Sequence, residues 1–345
     1  MRNKDPKITD CILIMYLLLE CGYEQCNAGP AFVKFERLPS IAACLENHPS
    51  RIIILNRRLV IMGSDDTKHE RLREQEIEAE SAQVSKIVDS KALNAKGVHD
   101  ALLLEGREEI HRHWTALAWS GFASGLTIGI SMMAEAVLGS ALPDTAWRPL
   151  IAKIGYSFGF VAVTLGRQQL YTETTLTAYL PWAHDKKSST LLLAGKLWLV
   201  VLITNLIGAF LFAFAASHTR AFSPELHEAF RRIGEEASRY DFWPAFIKGI
   251  YGGWLIALMV WLLPAAQNAR LWVIILITWL LSVTGLTHIV VGSVEVFYLV
   301  SIGEVSFWNY LSLYFIPVLI GNSIGGMALV AALNHAQAYP VAENN

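Results

Sequence analysis

The chain has 345 residues, 53% of them hydrophobic and 17% charged, with a mean hydropathy of +0.37. A soluble domain of this length carries more charge, and a formal charge of −2 without a basic stripe or stacking array excludes a nucleic-acid binder. The apolar residues are bunched into long blocks, which reads as an all-α polytopic membrane protein with lipids as its surroundings.

Residues 1–61 are compositionally separate from the rest. All four cysteines (Cys11, Cys21, Cys26, Cys44) lie there, whereas all eleven tryptophans lie between Trp114 and Trp308. The apolar run from Cys11 to Leu19 is too short to cross a bilayer. With Lys4 and Lys7 ahead of it, the run faintly resembles a signal peptide, but no clean cleavage site follows. The other reading takes Met62 as the natural start and residues 1–61 as upstream sequence. Neither C-x-x-C nor Cys/His metal spacing occurs, so no metal or other cofactor is expected. Residues 62–113 read as a charged cytoplasmic arm that ends in an amphipathic helix around Val98–Leu104, lying on the membrane surface. His111 and His113 have no metal-ligating partners at helical spacing and are placed in the headgroup region.

From residue 114 to 335, windows of about 20 residues give six spans: Trp114–Leu138, Leu150–Leu180, Leu191–Ala216, Phe242–Leu263, Leu271–Val300 and Trp308–Leu333. Residues 336–345 form a tail. The second and fifth spans are too long for one straight helix, and each has a polar interruption. An unwound backbone in hydrocarbon must find partners inside protein or around a water-filled cavity, so two broken helices are expected to face each other. Thr204-Asn205-Leu206-Ile207-Gly208 in span three echoes Gly321-Asn322-Ser323-Ile324-Gly325 in span six, 117 residues on. At the same offset Gly166–Tyr171 falls opposite Val283–His288. Ser124-Gly125-Leu126 in span one loosely matches Gly252-Gly253-Trp254 in span four. Three spans repeated twice place the halves in inverted orientation, with a site at the midplane. The glycines of the repeat suit close helix approach; Asn205 and Asn322 suit either a pore lining or hydrogen bonds to the broken helices.

An even number of spans puts both termini on one side. If the mixed-charge loop Ser223–Arg239 is discounted, the lysines and arginines put that side in the cytoplasm. Among charges at depth, Arg167 is expected to pair with Glu173 or Glu295, or to reach water at a vestibule, because an unpaired charge at mid-bilayer costs several kcal/mol. Lys153, Lys196 and Lys248 lie nearer span ends and can snorkel, and on a vestibule wall any of them would draw in anions. His288 is the only histidine well inside a span and follows Gly285 in the second break. With an ordinary pKa of about 6.5, it can offer a charge or a proton to a passing anion.

These residues resemble the formate/nitrite transporter family over Trp114 to about His335. The matching pieces are Gly166-Arg167-Gln168-Gln169-Leu170-Tyr171-Thr172-Glu173-Thr174, Thr284-Gly285-Leu286-Thr287-His288 and the Asn-x-x-Gly motifs at Asn205 and Asn322. The resemblance implies aquaporin-like six-helix protomers assembled as a homopentamer in the bacterial inner membrane, each with a pore for small monovalent anions such as formate, nitrite or hydrosulfide. It matches the family's central histidine to His288, its loop threonine to Thr172, a symmetry-related asparagine to Asn322, and part of an apolar constriction to Leu170 and Tyr171. The chain departs from the family pattern in having Thr287 before the histidine in place of Glu, and Gly292 four residues after it in place of Asn. Asp241 stands where a vestibule lysine is expected, and Arg167 is unlike the first break of formate channels. These departures mark a divergent branch.

The resulting expectation is a channel for weak-acid anions, with proton exchange at His288. Alternatives are a pore for a neutral small solute, a membrane scaffold that recruits a partner through the arm, and an intramembrane enzyme. The last needs Gly-x-Ser-Gly or His-Glu-x-x-His, and neither occurs.

Overall fold

A computed structural model describes residues 52–55, 58–61 and 93–327. The Cys11–Leu19 run, the cysteines, Met62, the arm before residue 93 and the C-terminal tail lie outside the described residues. The chain divides into two compact units, Met1–Glu74 and Gln75–Asn345. In the first, β1 (Ile52–Leu55) and β2 (Arg58–Ile61) pair antiparallel, with Ile52 opposite Ile61 and Leu55 opposite Arg58. The all-α expectation therefore describes the second unit only. The hairpin's signal was present in two β-branched runs separated by Asn56 and Arg57.

The second unit is helical throughout its described length. After α1 (Ala95–His111), α2 (Trp114–Thr127) and α3 (Gly129–Ala141) form an apolar rod of 28 residues interrupted at Ile128. Next come α4 (Arg148–Ala152), α5 (Tyr156–Leu165), α6 (Tyr171–Thr177) and α7 (Tyr179–Asp185). The 31-residue α8 (Ser188–His218) is followed by the short amphipathic α9 (Pro224–Ser238). Then α10 (Phe242–Ala266) and α11 (Arg270–Val283) lead to α12 (Ile289–Ser301). The last described elements are α13 (Phe307–Asn309), a π-helical turn (Tyr310–Phe315) and α14 (Ile316–Ile324).

Among the described residues, four stretches are long and apolar enough to cross a membrane: Trp114–Ala141, Ser188–His218, Phe242–Val283 and Phe307–Met327. Their outward faces show Trp119, Leu192, Leu199, Trp243, Trp272 and Trp308, as a chain solvated by lipid does. The centre is α12, where every residue from Ile289 to Leu299 is buried. The apolar stripe of α1 (Val98, Leu102, Leu103) packs on Leu176, Leu180, Ala257 and Trp261.

Two breaks interrupt the helices, at Gly166–Leu170 between α5 and α6 and at Thr284–His288 between α11 and α12. Both are built alike. Arg167 and Gly285 take left-handed backbone with φ of 51° and 62°, a conformation that disfavours a side chain at Arg167 by about 1–2 kcal/mol. Arg167 N–H donates to Thr164 O and Gln168 N–H to Val163 O; Gly285 N–H donates to Ser282 O and Leu286 N–H to Leu281 O. The correspondence between breaks is therefore one residue longer than the asparagine repeat. Leu170, rather than Tyr171, is the counterpart of His288.

One asparagine closes each break. Asn205 Oδ1 accepts Tyr171 N–H at 2.9 Å, and its Nδ2 donates to Gln169 O and Gly121 O at 2.9 and 2.7 Å. Asn322 Oδ1 accepts Ile289 N–H at 2.9 Å, and its Nδ2 donates to Thr287 O and Gly249 O at 3.0 and 2.8 Å. Both side chains are fully buried. Gly125 and Gly253 let their helices touch the backbone of Asn205 and Asn322, where a Cβ would collide with each carbonyl oxygen. This equivalence matches the loose echo between spans one and four.

Replacing Asn322 with Ala orphans one buried donor and two buried acceptors, each worth about 1–3 kcal/mol. N322A is expected to lose about 3 kcal/mol or more of stability, read as a lowered thermal midpoint in detergent. N322D, which keeps the acceptor but sets a carboxylate against two carbonyl oxygens, is expected to lose at least as much at neutral pH. An unchanged midpoint in N322A would refute the clamp.

Candidate functional site

His288 and Thr172 meet where the two breaks re-enter helix. Thr172 lies in the first turn of α6, and His288 is the residue that caps α12. Their side chains touch, with Thr172 Oγ1 and His288 Nε2 at 2.7 Å, and both residues are buried. The hydrogen bonds fix the tautomer. His288 Nδ1 accepts Val291 N–H at 3.2 Å, so the neutral ring carries its proton on Nε2 and donates to Thr172. The Thr172 hydroxyl hydrogen is then free to point onward, and the pair can present one donor to a negatively charged group.

The surroundings are apolar on one side and polar on the other. The Phe160 ring stands edge-on to His288 with centroids 5.0 Å apart, and Leu170 is fully buried nearby in sequence, before Tyr171. Tyr171 OH shares a hydrogen bond with Ser323 Oγ at 2.8 Å. Tyr314 OH donates to His288 O at 3.0 Å. Its hydroxyl fills the space that a side chain at Gly292 would need. The π-helical turn sets the Tyr314 backbone, and Tyr310 OH from the same turn meets Ser293 Oγ at 2.9 Å. Neither tyrosine stood out in the sequence; their only signal was polar tips on an apolar span.

A cavity of about 40 Å³ reaches His288 from the side that carries α9, with room for roughly three waters. Its wall includes Glu135, Lys153, Glu236 and Glu295. Lys153 does not snorkel: its ammonium is largely buried and bonds Glu135 Oε1 at 3.0 Å and Glu236 Oε2 at 3.2 Å. Lys248 donates to Gly285 O at 3.0 Å and lies over the Tyr240 ring. Thr287 Oγ1 donates to Ala245 O, bracing the second break. Lys196 is exposed. Glu173 accepts from Thr164 Oγ1 at 2.7 Å.

Arg167 pairs with neither Glu173 nor Glu295. It is 77% exposed at the opposite mouth and faces Glu105 of α1 at 3.8 Å, because its left-handed backbone turns it away from the bundle. One turn further along α1, Glu109 bridges to the first break and to α6: Gln169 Nε2 donates to its Oε1 at 2.8 Å and Thr177 Oγ1 to its Oε2 at 2.7 Å. Gly106 makes this approach possible, since a Cβ there would strike Thr177 O. Burial pushes the Glu109 carboxyl up to about 7; Glu105 adds to the rise, while the Gln169 and Thr177 hydrogen bonds and Arg112 oppose it.

Comparison with known proteins places the arrangement. Residues 96–336 match the family model described as Formate/nitrite transporter. Inner membrane protein YfdC of Escherichia coli (strain K12) is 38% identical over 266 residues, covering 76% of this chain and 86% of the relative. Formate channel BtFdhC of Bacillus thuringiensis is 23% identical over 242 residues, 68% of this chain and 91% of its own. Among solved structures, a pentameric formate channel with formate bound superposes with a TM-score of 0.56 at 21% identity, covering 65% of this chain and 97% of that one.

The Glu109 contact makes the seating of α1 sensitive to pH. A carboxyl whose pKa is raised from 4.5 to about 7 on docking favours the docked state fully below about 4.5. That contribution fades as pH climbs through this window and is gone above about 7. Amide exchange in 95–111, corrected for intrinsic rates, is expected to be several-fold faster at pH 8 than at pH 5, and E109Q is expected to flatten the difference. Equal protection at both pH values in the unmodified chain would refute it.

Proposed function

The chain belongs to the formate/nitrite transporter family, and from that premise we propose that it is a pore for small monovalent anions of weak acids. The observation that carries this reading is the His288–Thr172 pair at the junction of the two breaks. An anion of the formate or nitrite class meets apolar walls at Phe160 and Leu170, where bare charge is costly. The outward-pointing Thr172 hydroxyl, polarised by His288 Nε2–H, compensates it there, helped by the positive N-terminal ends of α6 and α12. His288 can surrender the Nε2 proton if Nδ1 takes one in exchange, which costs the Val291 cap contact, about 1 kcal/mol. A weak acid can thus cross the apolar stretch neutral, a route closed to anions of strong acids such as chloride.

The same reading assigns the described helices to six spans in two inverted three-helix halves, residues 114–335, with α1 and the preceding arm as a separate cytoplasmic segment. The matched breaks, the matched asparagine clamps and the Gly125/Gly253 contacts support it. A homopentamer in the bacterial inner membrane is supported by the likeness to a pentameric formate channel, by the inner-membrane relative and by the large outward face of α8; the balance of lysines and arginines is what favours cytoplasmic termini. A neutral-solute pore fits less well, since it has no use for a titratable group as the midpoint donor.

The test is uptake of formate, nitrite and chloride into liposomes reconstituted with the purified full chain, across pH 5–8. Formate and nitrite are expected to enter and chloride to be excluded. Loss of a hydrogen bond to charge, about 1.5–3 kcal/mol, should make H288A at least about tenfold slower. No flux of either weak-acid anion by correctly inserted protein would overturn the reading.

A further inference from the structure

We propose that Glu295 is a charge filter that lets a weak-acid anion into the His288 cavity only together with a proton; this rests on the reading of the chain as a weak-acid pore. Glu295 lies seven residues after His288, with Gly292 between them, so the three share one face of α12 over two turns, about 10 Å. All three line the cavity on the α9 side. Glu295 is 92% buried (8% exposed), and its carboxylate has no hydrogen bond or ion pair to any described residue. Every other buried charge near it is matched.

The groups facing it supply one counter-charge, and that charge is shared. Lys153, before α5, is held between Glu135 of α3 and Glu236 of α9, so its single positive charge already serves two carboxylates. Tyr156 of α5 and Tyr314 of the π-helical turn are neutral phenols, and Gly292 adds nothing. Lys248 is engaged with Gly285 O and the Tyr240 ring and is not part of the cavity wall. Counting Lys153, Glu135, Glu236 and Glu295, the wall carries a formal charge of −2 with all groups ionised. In a narrow, low-dielectric cavity that excess opposes an incoming anion.

Adding one proton halves that excess, from −2 to −1, and takes away the one carboxylate charge that Lys153 does not bond. The proton sits on the Glu295 carboxyl or on the substrate oxygen, and the exchange A⁻ + Glu295–COOH ⇌ HA + Glu295–COO⁻ is balanced without any further reactant. One anion and one proton therefore enter together with no net charge. The filter stands ahead of the His288–Thr172 donor pair, so the two residues have separable effects. The donor sets how fast the substrate crosses the apolar stretch, and Glu295 sets whether a proton must accompany it.

The experiment is formate uptake into liposomes holding the full chain, measured across pH 5–8 with and without an imposed membrane potential. The unmodified protein is expected to lose uptake as pH rises and to ignore the potential. E295Q, neutral at every pH, is expected to keep most of its pH 5 uptake at pH 8 and to become potential-dependent. E295D, which keeps the charge, should behave as the unmodified chain does and shows that folding is not the issue. An E295Q profile that coincides with the unmodified one in both pH and potential overturns the filter and leaves the pore intact. Absence of formate flux in the unmodified chain overturns the pore reading itself, and the filter with it.

Discussion

The structure depends on one constraint: a backbone that leaves helical geometry inside hydrocarbon must find partners for every freed N–H and C=O. Two carboxamides meet it. Asn205 and Asn322 each spend one acceptor and two donor contacts on the rim of a break, so each acts as a detached piece of backbone. Aspartate would lack the donors, and serine would lack the reach and the second donor. Once the rims are fixed, the first turns of α6 and α12 cannot rotate freely, and Thr172 and His288 are delivered to each other. The chemistry at the centre is thus a product of how the chain solves a hydrogen-bonding problem, and the glycines at 125 and 253 are what let the solving residue come close enough.

Departures from the family pattern acquire a structural meaning around the second break. Thr287 uses its hydroxyl on Ala245 O, so the residue before His288 braces the backbone and adds no charge. Gly292 leaves a gap that the Tyr314 hydroxyl occupies while donating to His288 O. Negative charge is instead placed two turns along α12 and across on α3 and α9, with a single lysine among three carboxylates. A pore whose carboxylate has moved from beside the histidine to the cavity mouth meets its substrate's charge earlier on the path.

Much of this was legible in the sequence, and the parts that were not share a cause. Hydropathy blocks marked the apolar helices, and the excess length and polar residues of 150–180 and 271–300 marked both breaks, because chain that must be unwound inside an apolar block shows itself in that way. The identity of His288 and the two asparagines followed from the same pattern. The one-residue difference in register between breaks and asparagines was hidden, since it depends on how the loops and the π-helical turn absorb a residue. For Arg167 a buried pair and exposure to water both fit the sequence; the exposed side chain and its partner Glu105 depend on a left-handed φ, a property sequence reports well only for glycine. Lys153 was read as a snorkelling side chain, yet two carboxylates from α3 and α9, distant in sequence, hold it inside. Long-range ion pairs leave no local periodic signature. The strand pair 52–55 and 58–61 is hidden for the opposite reason: two four-residue strands are far shorter than a 20-residue apolar window.

The two mouths of the site are chemically unlike. On the α9 side a titratable carboxylate stands unpaired within the cavity, and a ligand coming from there meets charge before it meets shape. On the opposite side Gln169, from the first break, is tied to Glu109 of α1, with Arg167 and Glu105 outside it. A substrate from that side meets a helix hinged on one carboxyl contact before it meets the apolar stretch at Leu170. Both elements involve carboxylates, but they respond in different ways: protonation removes a repulsive charge on one side and secures a docked helix on the other. Acid on the α9 side thus favours entry, and acid on the α1 side favours the seated helix. On the reading proposed above, the two sides of the site would therefore answer a change of pH in different ways, without any change in the residues at its centre.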